Sequence, residues 1–250
     1  MNTSLIVISD LDGTLLDHHD YSYSAAIPAL ELLANYEIPL ILNSSKTASE
    51  IREIRLTLNN HHPYVVENGA GIFLPDADID RCIKFGTPRD DLLILLNNIR
   101  QQNGFQFTGF NDLNVEELTS ISGLSREQAQ LAMQRDFTEP LIWRDAESSK
   151  IKFIQLLEQE GLTATQGGRF LSISGKVDKG QALNWLKNYY LEQNGKQPYI
   201  IALGDSENDK DMLEASDQPV LIRSPVNELP IINKDNLIIK EQAGPEGWNN

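Results

Sequence analysis

Two carboxylate clusters have the composition and placement to do chemistry. Asp10-Leu11-Asp12-Gly13-Thr14 follows the apolar run 5–9, and Gly204-Asp205-Ser206-Glu207-Asn208-Asp209 follows the run 199–203. In an extended chain residues i and i+2 point the same way, so Asp10 and Asp12 are expected to face one site at the end of a strand. Gly13 lets the chain turn sharply after them. Two carboxylates this close repel unless a cation lies between them or one keeps its proton. Mg²⁺ suits the position, because it prefers oxygen ligands and usually retains water. One carboxylate could then attack phosphorus while the other moves a proton to the leaving oxygen. A plain Asx-rich turn after a strand would use the same residues.

The second cluster again gathers acids where a strand ends. Asp205 could ligate a metal directly, and Asp209 directly or through water. Glu207 could bind or be solvated at the helix start. Asp205 or Ser206 could instead cap the helix, and capping is compatible with metal binding. The segment lacks the alternating ligands and distal Glu of an EF-hand. A third patch, Asn43-Ser44-Ser45-Lys46-Thr47, follows the run 39–42. A hydroxyl and backbone N–H groups at a helix start can hold a phosphate oxygen, and a Ser/Thr cap would look the same. Lys179, in Lys176-Val177-Asp178-Lys179-Gly180, could neutralise a phosphate and an attacking Asp, or lie on the surface.

The elements that must position these residues alternate in the first and last parts of the chain. Strands are expected at 5–9, 39–42 and 63–66, with helices at 25–36 and 48–58. The rhythm returns with a helix at 179–191, a strand at 199–203, a helix at 209–215 and a strand at 219–222. Short strands alternating with helices indicate a parallel sheet with crossover helices. Open α/β sheets bind ligands beyond the carboxyl ends of their strands, where three of the four patches fall. The middle reads differently. Strands at 81–85, 104–108 and 137–143 mix with helices at 90–101, 115–120, 126–134 and 148–159, and 163–167 with 169–174 reads as a hairpin across Gly167-Gly168. The expected fold class is therefore α/β: a doubly wound parallel core over 1–83 and 175–250, interrupted by an inserted α+β cap over 84–174. The tail after Asn236 reads as loop.

Length and composition narrow the function. A chain of 250 residues buries most of its apolar surface without staples. No run approaches the roughly 20 apolar residues that span a bilayer, so no membrane partner is expected. The single cysteine, Cys82, allows no intrachain disulfide, which fits a reducing, cytoplasmic setting. A net charge of −15 argues against a nucleic-acid partner, whose phosphates are bound mainly by Lys and Arg. It also means that a site for an anion must be locally positive, through a bound cation and placed basic residues.

The four patches, in order, resemble the motifs of the haloacid dehalogenase-like superfamily across both halves of the core. The resemblance implies that Asp10 is a nucleophile forming an aspartyl-phosphate and that Asp12 is the general acid and base, with its carbonyl on Mg²⁺. It implies that Ser44 binds the phosphoryl group, that Lys179 pairs with it, and that Asp205 completes the metal shell with Asp209 behind it and Asn208 in support. A cap between the second and third motifs fits the branch rich in sugar-phosphate phosphatases. Ser44-Ser45-Lys46-Thr47 replaces the Thr-Gly-Arg usual there. Together with Glu67-Asn68-Gly69, Gly109-Phe110-Asn111-Asp112, Gln134-Arg135, Glu139-Pro140 and Gly167-Gly168-Arg169-Phe170, it resembles the mannosyl-3-phosphoglycerate phosphatases. Such a substrate is a small phosphorylated sugar acid. Lys46, Arg135 or Arg169 could hold its carboxylate, and Gln134, Glu139 and Asn68 its sugar hydroxyls, with Ser45 and Gly69 lining the same place.

Two rivals use the same chemistry or fold: a phosphomannomutase-like phosphotransferase, and a non-catalytic sensor of sugar phosphates. Two crowded Asp residues serve a pure sensor no purpose. His18-His19 and His61-His62 read as solvated loop, and Trp143, Trp185 and Trp248 as packing residues.

Overall fold

The computed structural model describes residues 4–76, 80–167 and 169–250, and Gly168 of the expected hairpin turn lies outside them. The described chain forms two compact units: 1–45, 58–83 and 178–250 in the first, 46–57 and 84–177 in the second.

The first unit is built on an eight-stranded sheet. Its strands are β1 (Leu5–Ser9), β2 (Leu40–Asn43), β3 (Tyr64–Val66), β4 (Gly71–Leu74), β5 (Arg81–Lys84), β10 (Tyr199–Gly204), β11 (Gln218–Arg223) and β12 (Ile238–Ala243). They lie in the order β12-β11-β10-β1-β2-β3-β4-β5. All neighbours from β12 to β3 are parallel, and β4 turns back antiparallel on β3. The central strands are buried on both faces: Ile6, Ile8, Ile41, Leu42, Tyr64, Val65, Ile200 and Ala202 are almost fully covered. That is why they read as continuous apolar runs rather than as alternation. The order reverses direction at the β10–β1 pair, the topological switch point where such sheets bind ligands. Register aligns the strand ends there: Ser9 pairs with Leu203 and with Leu42, Gly204 with Leu221, and Asn43 with Val65. The residues that follow these strands therefore share one edge. Helices α1 (Ile27–Asn35), α7 (Lys179–Asn194), α8 (Lys210–Ala215) and α9 (Gly244–Asn249) complete the unit.

The second unit has an antiparallel sheet of β6 (Phe107–Gly109), β7 (Thr138–Trp143), β9 (Phe170–Gly175) and β8 (Leu162–Gly167), in that order. Helices α3 (Arg89–Asn103) and α6 (Glu147–Gln159) share a core with it, made of Leu92, Leu96, Phe105, Phe107, Leu141, Phe153, Leu157 and Ile173. A smaller cluster joins Phe110, Leu118 and Ala129 beneath α4 (Val115–Ser122) and α5 (Arg126–Ala132). Helix α2 (Ala48–Thr57), expected to belong with the alternating core, instead groups with this unit and packs on α5.

The structure departs from the sequence reading at three more places. The run 71–74 carried no strand expectation, yet it forms β4 through antiparallel pairing with β3. The strand at 81–84, read with the middle of the chain, lies in the main sheet beside β4. The tail read as loop forms β12, which pairs in parallel with β11, and then α9, with Pro245 in its first turn.

Candidate active site

The site is built from the loops that leave β1, β2, β3 and β10, and from the first turn of α7. Strand β1 ends at Ser9, so alternation along a strand is not what brings Asp10 and Asp12 together. A tight turn does so. The Leu16 and Thr14 amides both donate to the Leu11 carbonyl, the Gly13 amide donates to the Leu16 carbonyl, and Leu11 is fully buried beneath them. Gly13 has φ +79°, and a Cβ there would stand 2.7 Å from the Asp205 Oδ2. Only glycine lets the Asp205 carboxylate close against this turn.

Lys179 lies at the centre. It is the first residue of α7, behind Asp178, whose carboxylate caps the helix by accepting the Gln181 amide at 2.7 Å. A cation at a helix N-terminus is disfavoured by the macrodipole, so capping does not explain it. Its environment does. The ammonium is fully buried, 2.5 Å from Asp10 Oδ1 and 2.6 Å from Asp209 Oδ1. Burial alone would push the Lys179 pKa down, but the two carboxylates and their hydrogen bonds outweigh it and raise the pKa.

The Asp10 pKa is also raised, which for an acid disfavours the charged form. Burial raises its pKa; Lys179 lowers it; and Asp209, Asp205 and Asp12 raise it again. Asp205 is likewise raised, by burial and then by Asp209, against hydrogen bonds from Ser224 and Asn227. Carboxylate oxygens of Asp10, Asp205 and Asp209 lie within 4.8 Å of one another, all buried. One ammonium facing this many buried carboxylates leaves a negative excess that a divalent cation would offset. Hard oxygen donors at this spacing fit Mg²⁺.

The three acids are not equivalent. Asp209 Oδ1 takes the Lys179 ammonium, while Oδ2 accepts from the Asp205 amide at 3.0 Å and the Ser206 amide at 3.1 Å. Asp209 therefore shapes the loop and aims the lysine, and its direct ligation of a metal would compete with these bonds. Asp10 and Asp205 keep more acceptor capacity. Glu207 is exposed, which fits its solvated reading.

Ser44 is fully buried at the end of β2, its amide donating to the Val65 carbonyl. Its carbonyl accepts the Asn68 amide at 2.9 Å. Glu67, Asn68 and Gly69 run through three successive positive φ values of 49°, 59° and 95°. Such a stretch is strained and is held by its surroundings. Asn68 Oδ1 accepts from Asn208 Nδ2 at 3.2 Å, and Asn208 Oδ1 from the Ser206 hydroxyl at 2.6 Å. The structure thus brings together Asp10, Asp12, Ser44, Asn68, Gly69, Lys179, Asp205, Asn208 and Asp209 in the first unit. Ser45 follows Ser44 and is half-buried.

The remaining predicted residues lie in the second unit. Glu139, expected to meet sugar hydroxyls, is 1% exposed. Its Oε2 takes a two-pronged contact from Arg89 at 2.9 and 2.7 Å, and its Oε1 accepts the Asn111 amide at 2.7 Å. It anchors the β6–β7 end of the unit rather than presenting a surface. Burial raises its pKa, against Asn111, Arg89 and Arg135. Arg135 donates to the Thr138 hydroxyl at 2.8 Å and lies over the Phe110 ring. Gln134 accepts from the Ser49 hydroxyl, Arg169 donates to the Ile121 carbonyl, and Lys46 stands 3.9 Å from Glu50.

Sequence reasoning missed several supports. Asn227 Nδ2 donates to Asp205 Oδ2 at 3.1 Å, and Asn43 Nδ2 to the Lys179 carbonyl at 3.2 Å. Asn43 and Ser224 were within reach, because each lies at or just past the end of a core strand on the same sheet edge. Asn227 had no such signal.

This fold and acidic site define a class, and the chain belongs to it: the model of the haloacid dehalogenase-like hydrolase family matches residues 7–232. A relative from Methanococcoides burtonii, named glucosyl-3-phosphoglycerate/mannosyl-3-phosphoglycerate phosphatase, is 40% identical over 98% of this chain and 94% of its own. A relative of the same name from Persephonella marina is 37% identical over the same shares. A crystal structure from Thermoplasma acidophilum is similar in fold, with a TM-score of 0.70 at 17% identity, over 99% of this chain and 96% of that one. Among the described residues no helix is long and apolar enough to cross a membrane.

Proposed function

We propose that the chain is a Mg²⁺-dependent phosphatase that removes phosphate from glucosyl- or mannosyl-3-phosphoglycerate through an aspartyl-phosphate on Asp10. The observation that carries the reading is the buried Lys179 held between Asp10 and Asp209, with the Asp205 carboxylate converging on the same point. The names of the two relatives that match nearly the whole chain support the substrate.

In the first step an Asp10 carboxylate oxygen attacks phosphorus, and the bond from phosphorus to the glycerate oxygen breaks. Asp12 gives its proton to that oxygen. In the second step Asp12 takes a proton from water as the water oxygen attacks phosphorus, which frees Asp10 and releases inorganic phosphate. Lys179 holds Asp10 in line and balances charge on the transferring group, and the Ser44 hydroxyl donates to that group's oxygens. Asp10 and Asp205 would hold Mg²⁺, with Asp12 contributing and Asp209 aiming the loop. When bound, the ion supplies charge stabilisation to the phosphoryl oxygens. The second unit, over 84–174 by sequence, serves as the specificity cap. Arg135 and Arg169 are its candidates for the substrate carboxylate, and Glu139 anchors β7, the strand that follows Arg135. Lys46, Gln134 and Ser45 are further candidates.

The test is phosphate release from a panel of phosphorylated metabolites, with Mg²⁺ and with a chelator, using Asp10→Asn as control. The expected result is Mg²⁺-dependent release from a glycosyl-3-phosphoglycerate that disappears in the variant. Release spread evenly over simple hexose phosphates would discard the substrate reading. A requirement for a sugar bisphosphate, with phosphate passed to a second hydroxyl, would favour the phosphotransferase.

A further inference from the structure

A hydroxyl that the reaction does not use lies directly behind the nucleophile. Ser9, the last residue of β1, is fully buried, and its Oγ donates to the Asp10 carbonyl oxygen at 2.6 Å. The same Oγ accepts the indole N–H of Trp248 at 3.0 Å. Trp248 comes from α9, the far end of the chain, and is itself buried. The direction of this relay is fixed by chemistry. An indole nitrogen only donates, so the Ser9 hydrogen must go elsewhere, and the Asp10 carbonyl takes it. On its other side, the Asp10 amide donates to the Leu203 carbonyl of β10 at 3.0 Å. Both polar groups of the Asp10 backbone are therefore held.

Helix α9 is anchored as well as close. The Asn249 Oδ1 accepts the Ala29 amide of α1 at 3.0 Å. The segment has only six residues and contains two glycines and a proline, a poor helix by propensity. Its position follows from burial of the indole against the sheet.

We infer that Trp248 is a positioning residue for Asp10. Its indole N–H orients the Ser9 hydroxyl, which fixes the peptide after Asp10 and so the angle from which the carboxylate approaches phosphorus. This rests on reading Asp10 as the nucleophile. Holding a reacting group within a narrow angle acts on the rate of the chemical step rather than on substrate binding. Two hydrogen bonds in series also act as one unit, so breaking either link breaks the relay.

The experiment uses the full chain with Mg²⁺ and measures kcat and KM for phosphate release from glucosyl-3-phosphoglycerate and from p-nitrophenyl phosphate. Trp248→Phe keeps most of the ring and removes the N–H. Ser9→Ala is close in volume and removes the middle link. Each should lower kcat by roughly tenfold, about the worth of one well-placed hydrogen bond, and leave KM within about twofold. The double variant should lose no more than the worse single one. A kcat within about twofold of wild type in both singles, or losses that multiply in the double, would overturn the relay. If Trp248→Phe does not fold, Ser9→Ala decides the matter alone. A wild-type protein that releases phosphate from no ester removes the nucleophile reading and this inference with it, and that result is read before any variant is made.

Discussion

Gly69→Ala is the sharpest single test of how the site is assembled. The residue has φ +95°, and an added Cβ would overlap the Asp178 carbonyl oxygen, 2.6 Å from its carbon and 3.2 Å from the Lys179 amide nitrogen. Everything in the way is backbone, so no side chain can swing aside. Placing a Cβ in the left-handed region costs about 1–2 kcal/mol. Forcing an overlap in a packed interior adds about 1–3 kcal/mol. The expected loss is about 2–5 kcal/mol, a large share of the roughly 5–15 kcal/mol that holds a domain folded. Gly195→Ala is the matched control. It lies in the same unit with φ +66° and nothing within 4 Å of the added carbon, so it bears only the conformational part. Urea unfolding of both variants should separate them by the overlap alone. The clash also pushes on Asp178 and Lys179, so kcat should fall about a hundredfold, the consequence of displacing a catalytic group by about 1 Å. If both alanines unfold within about 0.5 kcal/mol of each other and Gly69→Ala keeps wild-type turnover, the close approach of these two loops does not organise the site.

Lys179→Met removes the ammonium from between Asp10 and Asp209; metal-free protein should lose about 3–5 kcal/mol in urea, and turnover should vanish. Asp205→Asn removes a carboxylate from the proposed Mg²⁺ site. Wild type at a hundredfold excess of Mg²⁺ over its Kd should gain about 2.7 kcal/mol, and the variant's Tm should not respond to the ion or to chelator. Arg135→Ala should raise KM for a glycosyl-3-phosphoglycerate far more than Arg126→Ala, whose guanidinium is an exposed partner of Glu116; equal effects would remove Arg135 as a carboxylate clamp.

What was legible in the sequence follows from what chemistry demands of neighbours in sequence. Asp10, Ser44 and Asp205 each come directly after a core strand, and parallel register delivers strand ends to one edge, so motif and fold point to the same place. Lys179 was legible as a patch but not as a buried residue, because its burial depends on carboxylates 169 and 30 positions away. Asn227 was not legible as a partner of the site, since nothing local distinguishes it from a loop amide; Trp248 lies in a Gly-Pro segment that could fold back near the site, but no local signal gives the contact it makes with Ser9. The missed β12 has a reason too. Its residues are mostly exposed and include Lys240 and Glu241, so it shows no apolar alternation and exists through backbone pairing to β11. Glu139 was misread as a surface for hydroxyls because a motif gives its position and not its burial.

The site also resolves how so acidic a protein receives an anion. Charges farther than about one Debye length, roughly 8 Å at physiological salt, are largely screened, so most of the −15 does not reach the substrate. What reaches it is the local set: Asp10, Asp12, Asp205 and Asp209 against Lys179. With all four acids ionised that set is three charges negative. A divalent cation in the proposed site reduces the excess to one, so the ion rather than the rest of the surface is what lets the site admit a phosphate. Calorimetry of inorganic phosphate binding, with Mg²⁺ and with chelator, reads this directly. Binding that needs the ion supports the account, whereas equal affinity without it refutes it.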